Sequence, residues 1–317
     1  MIKSAPAKPV PVGPPARRRV GGDLWHAMTQ RQARTGYLFV LPSLLILTVF
    51  VFWPIVQSVD LSLHHWRFGR PVQTWAGLDN FTRLLQDERV GGALRNTLYY
   101  TLGTVPTGLV LALVLALGLN TRLPLRGLLR AGLFLPVIAS FAIMAIVWSF
   151  LIDPEIGLLT YWAHQIGLPT SNWLRDPDWA LPAVILVSIW KNLGFNMVIY
   201  LAGLQGIPES YYEAAQVDGA NGWQRFRHIT LPQLRATTLF VLVVSVIGAF
   251  QVFDPVYVMT PGGGPLFSTE TVVTYIYYQG LQLLDLSYAA AIGVGLLVLV
   301  FILTFVQLRV LRYRELY

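Results

Sequence analysis

The sequence predicts an all-α integral membrane protein: six transmembrane helices, with a cytoplasmic helix-turn-helix between spans four and five. Three observations carry that prediction. Hydrophobic residues make up 55% of the chain and charged residues only 12%, where a soluble domain carries roughly a quarter charged. Several uncharged runs are long enough to cross a bilayer. The lysines and arginines collect on one side of those runs.

Taken in order, residues 1–36 read as a cytoplasmic tail. Pro6, Pro9, Pro11, Pro14 and Pro15 stand there among basic and small residues, so the first ~20 residues are expected to be disordered. Tyr37 to Ser58 is 22 residues without a charge, about 33 Å as a helix and enough to span. Arg17, Arg18, Arg19, Arg31 and Arg34 precede it, which also suits a secretory leader. The run is too long for one and lacks a small-residue cleavage site, so an uncleaved first helix is expected. Further spans are predicted over Ala93–Leu119, Leu128–Ile152, Ala180–Leu204, Ala236–Val258 and Tyr288–Leu308. A single six-span domain therefore covers 37–308, with a short cytoplasmic tail over 309–317.

Six spans place both termini on one side. The segments on that side hold 16 of the 23 lysines and arginines and the opposite loops hold five, which makes the terminal side cytoplasmic. The external loops read as amphipathic or turning. Leu78, Phe81, Leu84 and Leu85 recur at helical spacing, and "TPGGGP" at Thr260–Pro265 must turn. Pro42, Pro54, Pro106, Pro136 and Pro182 fall in or at the ends of spans, where proline can kink a helix or simply be tolerated.

Several functions are excluded. The net charge of +7 follows membrane topology rather than a basic face for nucleic acid. There is no cysteine for disulfides or thiolate metal sites. The lysines are Lys3, Lys8 and Lys191, none after a glycine, so no P-loop exists to cradle phosphates. His26, His64, His65, His164 and His228 are scattered without metal-ligand spacing.

The most informative stretch is the polar loop 206–234, "GIPESYYEAAQVDGANGWQRFRHITLPQL". Pro208 opens a helix with Glu209 in its first turn, continuing through Tyr211–Val217. Asp218, Gly219, Ala220, Asn221 and Gly222 then turn. A second helix runs from about Trp223 to Thr230, stopping before Pro232. Its Trp223, Phe226 and Ile229 form an apolar face that needs a partner. Small Ala214 and Ala215 beside Glu213 allow close approach and a directional contact with an arginine of another surface. A self-packed loop lying on the bilayer is the alternative.

The string "EAAQVDGANGWQRFRHITLP", Glu213–Pro232, resembles the coupling-loop signature of ABC importer permeases. Glu213, Ala214, Ala215, Asp218, Gly219, Ala220, Phe226, Ile229, Leu231 and Pro232 fall on its motif positions. "GLDNF" at Gly77–Phe81, "IWKNLGF" at Ile189–Phe195, "GLQGIP" at Gly203–Pro208 and the later "GGGP" extend the likeness to the carbohydrate-uptake branch. They point to the first of its two permease chains, as in maltose-type and glycerol-phosphate-type systems. The large external domain and extra N-terminal helices of the maltose type are not seen, so the resemblance favours the shorter glycerol-phosphate-type layout. It implies a bacterial or archaeal cytoplasmic membrane location and a second homologous permease. Two copies of an ABC ATPase subunit, holding the ATP and Mg, and an extracytoplasmic solute-binding protein complete the implied assembly. No cofactor is expected on this chain. Glu213 and Asp218, with Ala214, Ala215, Gly219 and Phe226, would couple to the ATPase.

For the solute path, Lys191 lies mid-span, where a charge costs roughly 2.5 to 3.5 kcal/mol and should face protein or water. Asn192 is adjacent and Asn196 is five residues on. Gln251, Asp254 and Tyr257 recur at three-residue spacing on one expected helical face of the fifth span. Amides, a carboxylate and a phenol suit hydroxyl recognition, and the resemblance places a solute site in these two spans. Lys191 and Asp254 could instead form a buried interhelical pair. Trp53, Trp66, Trp148, Trp162, Trp173 and Trp179 read as interfacial anchors. One lysine beside a carboxylate disfavours an anion, which favours a neutral mono- to oligosaccharide over glycerol 3-phosphate or a related polyol phosphate. An ion-coupled secondary transporter using Lys191 and Asp254 would be favoured by inverted repeats, and none is seen.

Overall fold

The computed structural model describes residues 30–312 apart from 67, 68, 70–72, 122, 123 and 168–171; for 30–36, 311 and 312 it describes the backbone alone. The expected disordered segment and the last five residues of the C-terminal tail lie outside the described residues. The chain divides into two units after Gln57.

The first unit holds α1 (Gln30–Leu47) and a π turn over Thr48–Phe52. The helix starts at Gln30 rather than Tyr37, so part of the predicted tail is helical. From the π turn, α2 (Trp53–Ser62) continues the chain. The wide turn precedes Pro54: Trp53 N–H bonds the Thr48 carbonyl, and the looser winding accommodates a ring that would crowd the Phe50 carbonyl of a regular helix.

In the second unit a two-residue antiparallel pair, β1 (His64–His65) and β2 (Thr74–Trp75), leads to α3 (Asp79–Gln86). Asn80 is 3% exposed and donates to the Ser62 and His64 carbonyls at 2.8 and 2.9 Å. Of the apolar face predicted for α3, Leu78 and Leu85 are exposed, and Leu84 is the residue packed inward. The membrane helix α4 (Glu88–Leu119) starts with Asp87 as N-cap, whose carboxylate accepts from Arg89 N–H at 2.9 Å. It packs along its length against α8 (Ala180–Gln205).

Between them the predicted third span is not one helix. It is α5 (Arg126–Ile138) and α6 (Phe141–Leu151), bent by 100°. The helix runs through Pro136 to Ile138, and the break falls at Ala139 and Ser140, which adopt extended backbone. A short α7 (Leu158–Gln165) follows before α8. Pro182 falls in the first turn of α8, where its missing N–H leaves nothing unsatisfied. The fifth predicted span is also shorter than expected: α12 (Arg235–Phe250) ends well before Val258, and α13 (Asp254–Met259) follows. Pro255 enforces the break, since its ring would clash with the Gln251 carbonyl of a continuous helix. The last helix in the chain runs Leu286–Arg312, past the predicted Leu308. Among the described residues four helices are long and apolar enough to cross a membrane, or up to six if each bent pair is one span.

Small residues set the closest approaches, as expected where lipid supplies no hydrophobic drive between helices. Gly103 lies against Ile185, Gly203 against Leu234 and Thr237, and Gly194 against the Leu133 and Phe134 backbone. One buried cluster includes Ala112, Ala116, Met197, Tyr200, Leu234 and Val241, and another surrounds Tyr100, Val184, Val187, Phe250 and Val256.

The Gly-rich turn predicted at Thr260–Pro265 is present, with Gly262, Gly263 and Gly264 all at positive φ. The segment beyond it, with α14 (Val272–Tyr277), is fastened to the start of α4. Asp87 accepts from the Tyr275 and Tyr288 hydroxyls at 2.8 and 2.6 Å. Burial raises its pKa, but these two bonds and the backbone N–H groups of Arg89 and Val90 outweigh it and hold the carboxyl below its ordinary 3.8. A depressed carboxylate stabilises the fold above its unfolded pKa and loses that contribution as pH falls through the folded one. Tyr288→Phe is therefore expected to cost about 1 kcal/mol at neutral pH, for a charged hydrogen bond at a partly hydrated site. The gap between variant and wild type should narrow below pH 3.8. Thermal unfolding of the detergent-solubilised protein across pH checks it; a gap constant with pH refutes it.

Candidate functional site

The turn of α8 decides which of its polar residues face the interior. Ser188, Asn192 and Asn196 recur every four residues and so share a face, whereas Lys191 is rotated about 100° from Asn192. That face, with Tyr100, Thr104 and Gly108 of α4 and Val244, Ser245 and Gly248 of α12, encloses a cavity of about 350 Å³. The break after α12 completes it, because Gln251, Phe253 and Asp254 line it from a non-helical corner. Phe141, at the start of α6, closes another wall.

Inside, Asn192 Nδ2 donates to the Ser188 carbonyl at 3.0 Å and Asn196 Nδ2 reaches Ser245 Oγ at 3.5 Å. Thr104 and Ser188 hydroxyls are spent on backbone carbonyls one turn back. Among the described residues the Gln251 amide and Asp254 carboxylate have no hydrogen-bond or ion-pair partner. The cavity thus offers a carboxylate, amides and aromatic walls, a set able to bond hydroxyls and pack against apolar ring faces. No lysine or arginine lines it.

Four of the six residues predicted for a solute path meet here: Asn192, Asn196, Gln251 and Asp254. Lys191 and Tyr257 do not. Lys191 is 7% exposed and donates to the Val137 carbonyl at 3.2 Å, with Phe141 beneath it at 5.5 Å. It therefore forms no pair with Asp254; its charge sits at the C-terminal end of α5, where the helix dipole favours a cation. Tyr257 packs outside, stacked on Phe253 at 5.0 Å, its hydroxyl 3.3 Å from that of Tyr277. Gln251, Asp254 and Tyr257 do not share one helical face, because the helix is interrupted between the first two. Sequence reasoning missed Tyr100, Phe141, Ser188 and Ser245; of these Ser188 was within reach, as the first member of the four-residue repeat.

The polar loop is a second candidate site. Helix α9 (Glu209–Val217) starts after Pro208 as predicted. It ends in a Schellman motif: Ala220 N–H bonds the Ala215 carbonyl at 2.8 Å and Gly219 N–H that of Gln216 at 3.1 Å, with Gly219 at φ +76°. Asn221 and Gln224 form a capping box that opens α10 (Gly222–Arg225). The second helix does not stop before Pro232. It widens to a π turn over Phe226–Thr230 and continues as α11 (Leu231–Gln233), the same device that precedes Pro54. The Tyr212 hydroxyl lies 2.9 Å from Thr230 Oγ1 and ties α9 to that turn. Outward, Glu213, Ala214, Asp218 and Gly219 are exposed, while Ala215 and Phe226 are half-buried. Val217 and Trp223 are 88% and 66% exposed, an apolar surface beside a free carboxylate.

The family described as binding-protein-dependent transport system inner membrane component matches residues 104–313. The lactose transport system permease protein of Rhizobium radiobacter is 38% identical over 88% of this chain and 95% of its own length. The trehalose/maltose transport system permease protein of Thermococcus litoralis is 35% identical over 92% and 99%. The sn-glycerol-3-phosphate transport system permease protein of Yersinia pestis is 37% identical over 86% and 92%. A solved bacterial ABC transporter involved in the import of the acidic polysaccharide alginate superposes with a TM-score of 0.78 at 28% identity, covering 92% of this chain and 99% of that one.

Proposed function

The chain belongs to the binding-protein-dependent transport inner membrane component family and is the permease of an ABC importer, not an enzyme; from that premise we propose that its solute is a neutral mono- to oligosaccharide. The observation that carries the reading is the cavity between α8 and α12, with unpaired Gln251 and Asp254, two asparagines and no cation. A carboxylate at that wall repels an anion, while its oxygens and the neighbouring amides can bond hydroxyls. The relatives named for lactose and for trehalose/maltose transport support it. The relative named for sn-glycerol-3-phosphate transport, at 37% identity, favours a second reading, in which the partner permease supplies the cations.

The rest of the mechanism is proposed with it. The bent pair α5 and α6 counts as one span and α12 with the corner after it as another, which makes six with the four long helices and puts both termini and the polar loop in the cytoplasm. A second permease completes the path, an external binding protein delivers the solute, and two ATPase subunits hold ATP and Mg. Helix α9 docks on an ATPase through Glu213, Asp218 and the small residues between them. Movement of α9 reaches the π turn through Tyr212 and Thr230, then passes the 63° bend at Leu234 into α12, whose far end carries Gln251.

The test is ATPase activity of the reconstituted complex with its binding protein across neutral sugars and glycerol 3-phosphate, in wild type and Glu213→Ala. Stimulation by one sugar, reduced about tenfold in the variant for a lost charged contact, is expected. Stimulation by glycerol 3-phosphate alone establishes the second reading. An unaltered response in Glu213→Ala refutes the docking role.

A further inference from the structure

On the side of the molecule where α4 begins, a groove of about 800 Å³ lies between α4, the start of α8 and the turn carrying Phe267 and Glu270. Its floor is apolar, formed by Tyr99, Leu181, Pro182 and Ile185. Its rim is charged. Arg89 is committed to Glu270, but Arg95 is exposed and, among the described residues, has no hydrogen-bond or ion-pair partner; the same is true of the side chains of Glu88 and Asp178.

The depth of this rim follows from helix packing. Helices α4 and α8 lie alongside each other with Gly103 level with Ile185. Eight residues earlier on α4, about 12 Å along its axis, Arg95 lines the groove with Pro177 and Asp178, which lead into α8. Trp179 comes next, just ahead of the apolar run of α8, and is 55% exposed. An exposed tryptophan at that position marks the boundary between headgroups and hydrocarbon. The groove therefore has its charges at headgroup level and its apolar floor below them, continuing down to the exposed Leu102.

We infer that this groove holds one zwitterionic phospholipid with a primary amine, its phosphate on Arg95, its ammonium on Asp178 or Glu88, and an acyl chain along Tyr99 and Ile185. A guanidinium is matched to phosphate in geometry and charge. The two carboxylates disfavour a purely anionic headgroup and give an ammonium its acceptors. Sugars are a poor occupant of the apolar floor: the groove's amide, Asn96, spends its Nδ2 on the Phe267 and Glu270 carbonyls, which leaves the Tyr99 and Ser268 hydroxyls beside it.

Lipid retention by the purified importer complex tests this without reference to transported solute. The complex is reconstituted in nanodiscs containing phosphatidylethanolamine, phosphatidylglycerol and phosphatidylcholine in equal parts, exchanged into detergent, and its bound lipid is measured by native mass spectrometry. Wild type is expected to retain phosphatidylethanolamine above the other two. Arg95→Gln should lower retention about tenfold, the loss of one charged contact, while Arg95→Lys keeps most of it. Asp178→Asn, alone or with Glu88→Gln, should erase the preference over phosphatidylglycerol. Assembly of each variant is followed by gel filtration. Equal retention in Arg95→Gln, preference for phosphatidylglycerol in wild type, or displacement by inorganic phosphate overturns the inference. So does a cross-link from a Tyr99→Cys variant to the second permease in place of lipid.

Discussion

Gly194→Val is expected to abolish recovery of folded chain from the membrane, while Gly118→Ala leaves it unchanged. A Cβ at Gly194 would meet the Leu133 carbonyl and the Phe134 Cα, all backbone atoms of α5. Backbone cannot rotate away as a side chain can, so the helices must separate. Separation has a further cost here. Three residues before Gly194, Lys191 holds the Val137 carbonyl at 3.2 Å, close to where α5 gives way to the 100° bend. Moving α8 off α5 would break that bond and leave a charge 7% exposed without its acceptor, a loss of several kcal/mol. Gly118 has nothing within 4 Å of an added Cβ, so its variant controls for the general effect of losing a glycine. Yield and thermal stability of the detergent-solubilised protein decide it. A stable, assembled Gly194→Val would mean that α5 and α8 do not meet at this point.

The sequence was legible wherever one local rule governed the outcome. The polar loop's first helix and the turn after Asp218 read correctly because a proline start and a glycine at positive φ are short-range signals; the capping box that opens α10 at Gly222 was not read. Span positions followed from hydropathy, and Ala180–Gln205 was met to within a residue. The interruptions were not legible. Pro136 was singled out without a decision between kink and tolerance, Pro255 was passed over, and proline is tolerated within other helices here, at Pro42 and Pro106. At the end of α5 Lys191 takes up the Val137 carbonyl, which hydropathy cannot foresee. The cavity-lining face of α8 was legible in Asn192 and Asn196, but Lys191 was grouped with them by adjacency, although consecutive helical residues point about 100° apart. Gln251 and Asp254 line the cavity through a corner rather than the helical face assumed for them.

The fastening of the Gly-rich turn to α4 gives the other large effect: Arg89→Ala is expected to destabilise the protein by about 3 kcal/mol or more, beyond the loss from most substitutions. Arg89 binds Glu270 through two nitrogens at 2.7 and 2.8 Å, and the carboxylate is 4% exposed. The guanidinium also lies over the Phe267 and Tyr278 rings at 4.0 and 4.4 Å. Removing it leaves a buried charge without a partner, which costs far more than the pair contributes net. The same carboxylate residue anchors the turn from its backbone, since Asn96 Nδ2 donates to the carbonyls of Phe267 and Glu270 at 2.9 and 3.0 Å. Those bonds hold Leu266 and Phe267 in left-handed conformations that non-glycine residues adopt only where surroundings enforce them. With Arg89 gone, the buried charge drives Glu270 toward water and releases that strain, so the segment 261–270 should open before the helices do. Limited proteolysis should then cut there first, at a rate well above wild type, while Arg89→Met with Glu270→Gln, which removes both charges, recovers much of the protection. Equal cutting of Arg89→Ala and wild type would show that the Asn96 bonds alone hold the turn.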